Sequence, residues 1–381
     1  MLRKNKIIMF LFPLLMGTFV TTSCSSSNKL LLLNWGEYIN DDLVLAFEKE
    51  FNCQVVISIA DSNELFYSKL KSGTTVYDLI VPSDYMVKKM YENNLLQKID
   101  YSRLSSSYYE GMFLPGVYGI ENEFCNNFGF EEYASYQVPY FWGTFGLMYN
   151  KRKAGVEEAV LRYGWDALFN KENLPKGAKT GMYNVPRDSY AACMFHHDLS
   201  PNLVGSEYLE LVKKDLKNAN FDQWGTDELK KQVQKGDLDV AFMYTGDFLD
   251  MYYQEESEEV PYDIYIPNNT IAFMDSFVLT KNARHVDLAY EFMNYFLDVD
   301  NAMANASVVG YCTPLQESYN KIVSLKDSSY QGEKNWAQAM EKYYPLPKED
   351  WPKPYQGTPL TNFDKDYLTK VTNLVNDVKT N

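Results

Sequence analysis

The sequence predicts a two-lobed α/β fold in which two long strands cross between the lobes. Residues 30–85 alternate between strand patterns and helix patterns, which implies a mainly parallel sheet with helices on its faces. Residues 137–150 and 271–280 are long apolar segments. Each segment fits a strand that leaves one lobe for the other, although residues 137–150 also fit a core strand within a single lobe.

The first segment begins with Leu30 to Leu33, a continuous apolar run typical of a strand that is buried on both faces. In chain order, the next predicted elements are a helix capped by Asn40, a strand at Val55–Ile59, a helix that begins at Asp61–Glu64 and ends at Gly73, a strand at Tyr77–Val81 and a helix opened by Ser83. Ligands bind beyond the carboxyl ends of such strands. The loops at 34–38, 61–64 and 83–85 are therefore the first places to look for binding groups.

The remainder of the chain continues the mixture of helices and strands. Its patterns predict helices at 165–169, 208–216, 286–296, 301–309 and 364–378, and strands at 239–244 and 262–266. Two α/β lobes joined by two crossing strands form the plan of a periplasmic-type binding protein, whose lobes close on a ligand like a hinge.

The N-terminus has the pattern of an export signal. Basic residues precede the apolar stretch 7–20, which is too short for a standard transmembrane helix and contains Pro13. The alternative is a short membrane anchor that stays on the protein. A small residue directly before Cys24 resembles a bacterial lipobox, although Thr21 stands where leucine is usual. We therefore expect a signal peptide at 1–23, a lipid on Cys24 and a flexible tether at 24–29.

Composition excludes several classes of function. The net charge of −15 argues against nucleic acid as a partner and is compatible with a cationic ligand. Beyond Cys24, the cysteines are widely spaced and are expected to be buried free thiols rather than disulfides: Cys53, Cys125, Cys193 and Cys312. His196 and His197 are adjacent and are expected to point in different directions from a helix. With no catalytic or metal-binding motif in the sequence, we expect no enzyme activity, no cofactor and no metal.

Dispersed motifs carry a resemblance to a known family. They follow in order along the chain: Asn34–Tyr38, Ser62–Glu64, Tyr77–Tyr85, Pro139–Gly143, Met274–Ser276 and Gly310–Pro314. In these motifs the chain resembles the spermidine/putrescine-binding proteins of bacterial polyamine ABC importers. The resemblance implies a type II periplasmic-binding-protein-like fold. We place one lobe at 30–138 plus 275–316 and the other at 139–274 plus 317–381.

The resemblance also implies a set of ligand-binding residues. The family's binding positions fall on Trp35, Glu37, Tyr38, Ser83, Tyr85, Asp188, Tyr244, Phe273, Asp275 and Tyr311. Tyr244 and Phe273 stand where the family usually has tryptophan. Val185 replaces a family aspartate, and Gln356 is only a guess for a late family glutamine. These departures leave the preferred polyamine open.

The residue types suit a polyamine, an alkyl chain that carries several ammonium groups. Carboxylates make strong charge-assisted hydrogen bonds to ammonium groups, and aromatic faces cover methylenes and attract cations. Each residue also has a structural interpretation. Trp35 and Tyr38 fit ordinary packing, and Asp188 fits a helix N-cap. Asp275 lies within an apolar strand, where an unpaired carboxylate is costly, so it requires either a ligand cation or a structural lysine or arginine.

The sequence thus predicts a monomeric binding protein that is lipid-anchored outside the cell. It would capture spermidine or putrescine between its lobes and deliver it to ABC permease subunits in the membrane. The rival interpretations are a binder of another small cationic solute, a surface adhesion lipoprotein and an extracellular hydrolase.

Overall fold

The computed structural model describes residues 28–105, 134–344 and 356–380. The predicted signal peptide, Cys24, most of the tether and Cys125 lie outside these residues, as does the side chain of Gln356. None of the described helices has the length and apolar character needed to cross a membrane.

Strands and helices alternate along the described chain. The strands are β1 (Lys29–Asn34), β2 (Gln54–Ile59), β3 (Leu79–Ile80), β4 (Val138–Asn150), β5 (Thr180–Tyr183), β6 (Gln223–Gly225), β7 (Val240–Tyr244), β8 (Tyr262–Tyr265), β9 (Asn269–Leu279) and β10 (Gln356–Thr358). The α-helices are α1 (Asp41–Phe51), α2 (Asn63–Ser72), α3 (Asp84–Glu92), α4 (Val156–Tyr163), α5 (Trp165–Phe169), α6 (Pro186–His196), α7 (Ser206–Ala219), α8 (Glu228–Lys235), α9 (Thr245–Leu249), α10 (Val286–Phe296), α11 (Val299–Val309), α12 (Gln316–Ser324), α13 (Gln331–Tyr343) and α14 (Lys365–Thr380). Short 3-10 helices lie at Tyr101–Arg103, Ala134–Tyr136, Lys171–Asn173 and Leu325–Asp327.

The predicted β-α-β-α-β unit is present at the start of the chain. β1 pairs in parallel with both β2 and β3. The side chain of Asn40 caps α1 through the Asp42 amide at 3.0 Å, and Ser62 caps α2. β3 is shorter than predicted, because the carboxylate of Asp78 replaces a strand carbonyl as the acceptor for the Leu31 amide. Pro82, which has no N–H to donate, then follows.

The two long apolar segments form the crossing strands. Strands β4 and β9 pair antiparallel from Val138–Phe277 to Thr144–Ala272. Beyond this paired segment, β9 pairs antiparallel with β3, and β4 pairs antiparallel with β7. The strand order is therefore β2-β1-β3-β9-β4-β7-β5-β6, with β8 beside β4 and β10 beside β9. This arrangement confirms the predicted two-lobed α/β fold, while the exact lobe boundaries, which fall within β4, within β9 and at the start of α12, stay a prediction.

Burial explains why several predicted helices show a clear sequence period and why helix α6 shows none, although the amphipathic helices α4, α8, α12 and α13 were also not predicted. The amphipathic helices α1, α7, α10 and α14 leave one face in water, so their apolar residues recur at helical spacing. Helix α6 is buried from Arg187 to Phe195 and shows no such period, so no bounds were predicted for it, although the interpretation of Asp188 as an N-cap implied a helix there. Free thiols are found at Cys53, which is half-buried, and at Cys193 and Cys312, which are buried, in agreement with the expectation.

The expectation for the paired histidines was wrong. His196 Nδ1 lies 3.0 Å from Asp215 Oδ2, and His197 Nε2 lies 2.5 Å from the same oxygen. The two rings converge because α6 ends at His196, so that His197 leaves the helical path.

Asp78 ties the first strands to the end of β9, and its replacement should destabilise the fold. Its fully buried carboxylate accepts hydrogen bonds from the amides of Leu31, Arg284 and His285 at 2.9, 2.7 and 2.9 Å. Asp78→Asn removes the negative charge and turns one acceptor atom into a donor. We expect the free energy of unfolding to fall by about 2–3 kcal/mol in urea denaturation. The matched control is Asp327→Asn at an exposed site, and equal midpoints for the two variants would contradict this role.

Candidate ligand-binding cleft

A cavity of about 520 Å³ opens beside the crossing strands. Its lining comes from the segments that follow β1, β2, β3, β5, β6 and β7, together with side chains of β4 and β9. The three predicted loops at 34–38, 61–64 and 83–85 all contribute. The carboxyl ends of the strands therefore converge on one cleft, as the parallel sheet topology requires.

The structure brings every predicted binding residue to this cleft. The lining includes Trp35, Glu37, Tyr38, Ser83, Tyr85, Asp188, Tyr244, Phe273, Asp275 and Tyr311. They come from segments that are far apart in sequence, and the shared location depends on both lobes. Their role in binding a ligand stays a prediction.

Aromatic rings form a connected wall of the cleft. The Tyr311 ring lies edge-on to Tyr38, with centroids 5.0 Å apart, and contacts Phe273 at 6.1 Å. Phe273 in turn meets Tyr244 at 5.4 Å. Gly246 makes room for this wall, because a Cβ there would lie 2.1 Å from the Tyr311 ring. The rings thus support one another as well as line the cavity.

Trp35 combines a packing role with a place in the cleft. Its Nε1 donates to the Val81 carbonyl at 2.7 Å, and its ring packs on Phe66 with centroids 4.7 Å apart. Ordinary packing is therefore part of the role of Trp35, in agreement with the packing interpretation that the sequence allowed.

Asp275 is a buried carboxylate without a cationic partner. Its Oδ2 accepts a hydrogen bond from the Tyr38 hydroxyl at 2.7 Å, whereas Oδ1 has no hydrogen-bond partner among the described residues. No lysine or arginine in the described ranges forms an ion pair with it, so the alternative of a structural ion pair receives no support. Burial raises the pKa of Asp275 to about 6, although the hydroxyls of Ser83 and Tyr38 both oppose the shift.

Asp188 lies inside the first turn of α6, and the interpretation as an N-cap was wrong. The N-cap residue is Val185, and Pro186 follows it. Asp188 Oδ2 accepts a hydrogen bond from the Tyr244 hydroxyl at 2.6 Å. Burial raises the pKa of Asp188 to about 7, although Tyr244 and Arg187 both oppose the shift.

The remaining predicted residues to be described are polar: Ser83, Tyr85 and Glu37. Ser83 Oγ accepts from Asn63 Nδ2 at 3.0 Å and makes no capping bond to α3. The Tyr85 hydroxyl donates to Glu64 at 3.4 Å. Glu37 is largely exposed.

Carboxyl groups dominate the lining. Nine of them line the cavity, namely Glu37, Asp61, Glu64, Asp84, Asp188, Asp227, Asp247, Asp250 and Asp275. Within the described part of the chain, Lys230 is the one lysine or arginine of the lining. Such an excess of ionisable carboxyl groups between low-dielectric walls favours a cation, and several ammonium groups on one ligand could be neutralised together.

Comparison with known proteins agrees with this geometry. Residues 42–338 match the family of bacterial extracellular solute-binding proteins. The chain belongs to this family. Its members bind solutes, which confirms that the chain is not an enzyme and confirms the resemblance drawn from the motifs.

Individual relatives of this solute-binding protein cover most of its length. The putrescine-binding periplasmic protein PotF of Escherichia coli is 29% identical over 299 residues, which are 75% of this chain and 78% of the relative. The spermidine/putrescine-binding periplasmic protein of Escherichia coli is 26% identical over 292 residues, 76% of this chain and 78% of the relative. A solved structure from Listeria monocytogenes, described as a putative spermidine/putrescine ABC transporter, matches with a TM-score of 0.73 and 28% identity, covering 93% of this chain and 99% of that one.

Sequence reasoning missed several charged residues of this solute-binding protein's cleft. Asp84 accepts from the Met274 amide at 2.9 Å, and burial raises its pKa to about 8. Asp247 accepts from the hydroxyls of Tyr183 and Tyr311, each at 3.1 Å. Both aspartates closely follow strand ends, where the topology already pointed to binding groups.

Lys230 and Asp250 were missed for a different reason. Lys230 is followed by a second lysine on a short amphipathic helix, a pattern typical of a solvated face. Nothing in the sequence signals that Lys230 is buried beside Asp250.

The raised pKa values predict that the ligand-free protein loses stability as pH rises. Asp84, Asp188 and Asp275 hold protons in the folded state up to about pH 8, 7 and 6, whereas unfolded aspartate titrates near ~4. Their contribution is therefore complete below about pH 4 and is lost as pH rises through these folded values. We expect the melting temperature to fall between pH 5 and pH 8 in calorimetry.

Asp84→Asn should remove part of this dependence. The amide oxygen can still accept from the Met274 amide, but the NH2 group replaces the oxygen that accepts from the Tyr85 amide, so some stability is lost at every pH. Because no buried charge forms at this position, we expect the fall in melting temperature between pH 5 and pH 8 to be smaller in Asp84→Asn than in wild type. Asp61→Asn, at an exposed position of the same cleft, should behave like wild type. Two results would show that these carboxyl groups do not cause the pH dependence of stability. One is a melting temperature that rises from pH 5 to pH 8, and the other is the same pH profile for Asp84→Asn and wild type.

Proposed function

We propose that this chain is the polyamine-binding component of a bacterial ABC importer and that it captures putrescine or spermidine in the cleft. The observation that carries the proposal is the nine-carboxyl lining with its aromatic wall and a single lysine among the described lining residues. Relatives that cover three quarters of the chain are named for putrescine and spermidine binding, which supports the same ligand class.

The buried aspartates are suited to hold ammonium groups. Asp275 Oδ1 accepts no hydrogen bond within the described residues by distance, although the Ser83 hydroxyl acts on the same carboxyl, and Asp188 accepts from the Tyr244 hydroxyl. Each carboxyl can therefore accept a charge-assisted hydrogen bond from an ammonium group. An ammonium beside either carboxyl returns it to the ionised form, because an opposite charge lowers the pKa that burial had raised. The rings of Tyr38, Phe273 and Tyr311 cover the methylenes, each worth ~0.5–2 kcal/mol when it faces a cation. Micromolar affinity needs about 8 kcal/mol, which such contacts supply.

Closure and delivery follow from the architecture. The lobes share β4 and β9, which form the hinge around which they close on the ligand. The closed form then docks on permease subunits, and a separate ATPase powers transport. Export through the signal at 1–23 and a lipid on Cys24 hold the monomeric protein at the outer face of the cell membrane.

Removal of the Asp275 charge should weaken polyamine binding. Asp275→Asn keeps the size of the side chain but leaves a ligand ammonium without its countercharge. We expect the dissociation constants for putrescine and spermidine to rise about 30-fold or more in isothermal titration calorimetry, which corresponds to a loss of about 2 kcal/mol.

The control for this experiment is Asp237→Asn, an exposed residue outside the cleft that should bind like wild type. Circular dichroism must show both variants folded. Wild-type protein that gives no heat with putrescine, cadaverine or spermidine would overturn the proposed function and favour an adhesion protein or another solute.

Polyamine binding should also release protons near neutral pH. Asp84 and Asp188 are partly protonated at pH 7 without ligand, and a bound ammonium favours their ionised forms. At pH 7 the observed enthalpy should therefore change with the ionisation enthalpy of the buffer, in the sense of proton release. Affinity should fall from pH 8 to pH 5. Binding that takes up protons, or an affinity that increases toward pH 5, would contradict this mechanism.

A further inference from the structure

Lys230 is a buried cation inside the cleft. Its side chain is only 3% exposed, and its Nζ forms an ion pair with Asp250 and lies 3.8 Å from Glu37 Oε2. A lysine with a four-carbon stem normally reaches water, so full burial in a cleft wall requires partners. Here the partners are acidic groups that could otherwise form ion pairs with a ligand ammonium.

The surrounding charges keep Lys230 protonated. Burial alone disfavours the ammonium, but Asp247, Asp250 and Asp227 outweigh it and raise the pKa of Lys230. The carboxyl of Asp250 benefits in return, since Lys230 opposes the effect of burial on its pKa. At neutral pH the protein therefore contributes its own ammonium group to this part of the cleft.

Seven of the nine cleft carboxyls fall into two groups, and Asp61 and Glu64 belong to neither. The Asp250 group consists of Glu37, Asp227, Asp247 and Asp250, and it surrounds Lys230. The Asp275 group consists of Asp84, Asp188 and Asp275, none of which forms an ion pair with a lysine within the described ranges. Only the first group has a lysine to neutralise it; in the second group Asp188 has the neighbouring Arg187, whereas Asp84 and Asp275 have no such cation named among the causes of their shifts.

We propose that Lys230 is a specificity-determining residue, which fills the ammonium subsite of the Asp250 group so that the cleft takes a linear diamine rather than a triamine. This inference rests on the proposed function. A diamine can place its ammonium groups without approaching Lys230. The additional ammonium of a triamine would stand against Nζ of Lys230 in a water-poor cleft, where like charges repel strongly. A built-in repulsive group is an effective way to reject a longer competitor.

A second way to use Lys230 would be to bind the carboxylate of an ω-amino acid. The charge balance disfavours this use, because Lys230 already pairs with Asp250 while Glu37, Asp227 and Asp247 add further negative charge. A ligand carboxylate would meet more repulsion than attraction there. The ligand is therefore expected to carry ammonium groups only.

The test compares putrescine, spermidine and 4-aminobutyrate by isothermal titration calorimetry on wild type and on Lys230→Met. Methionine keeps most of the length and the apolar character of the lysine stem and removes the ammonium group. We expect wild type to prefer putrescine over spermidine. Lys230→Met should shift the ratio of the two dissociation constants at least tenfold toward spermidine, and 4-aminobutyrate should bind neither protein measurably.

The matched control is Lys235→Met, an exposed residue at the end of the same helix, which should keep the wild-type ratio. If Lys230→Met does not fold, the double variant Lys230→Met/Asp250→Asn removes both members of the ion pair, and the same shift is expected. The inference is overturned if the ratio is unchanged, if both amines lose affinity equally, or if 4-aminobutyrate binds tightly. Each of these outcomes leaves the proposed role of the cleft in ligand binding intact. The absence of heat with either amine in every protein overturns the proposed function itself.

Discussion

The buried carboxyl groups beside β9 are the constraint on which the cleft depends. Asp84 and Asp275 are removed from water and have no lysine or arginine to neutralise them among the described residues. Burial holds their pKa values near 8 and 6, so ionisation of the empty cleft at neutral pH costs free energy. In the proposed function a ligand ammonium supplies the missing positive charge, and relief of this free-energy cost contributes to the affinity.

The same strands that build the core position this site. Strand β9 is buried along nearly its whole length, and it carries both Asp275 and the ring of Phe273. Strands β9 and β4 pair with each other and with strands on either side, so Asp275 lies on the pair of strands that joins the predicted lobes. In the proposed mechanism a ligand that contacts Asp275 therefore touches the hinge directly, and binding and closure are coupled through one pair of strands.

Hydroxyl groups moderate the electrostatic strain without removing it. Tyrosines donate to Asp275, Asp188 and Asp247, so each carboxyl has a neutral donor in the ligand-free state. A neutral donor stabilises a carboxylate less than a cation does, and the preference for an ammonium therefore persists. Lys230 is the exception, since it neutralises part of the cleft permanently and so restricts what the ligand can bring.

The sequence by itself determined the α/β alternation, the crossing strands and the presence of an anomalous aspartate in β9, because these depend on local periodicity and on the cost of a polar residue in an apolar run. It also located ten cleft residues through the family motifs. Only the tertiary structure decided that Lys230 faces Asp250 and that Asp188 meets Tyr244, since those contacts join segments that local patterns cannot relate. Helix α6 escaped prediction for the same reason, because burial on all sides erases the period that identifies a helix at a surface.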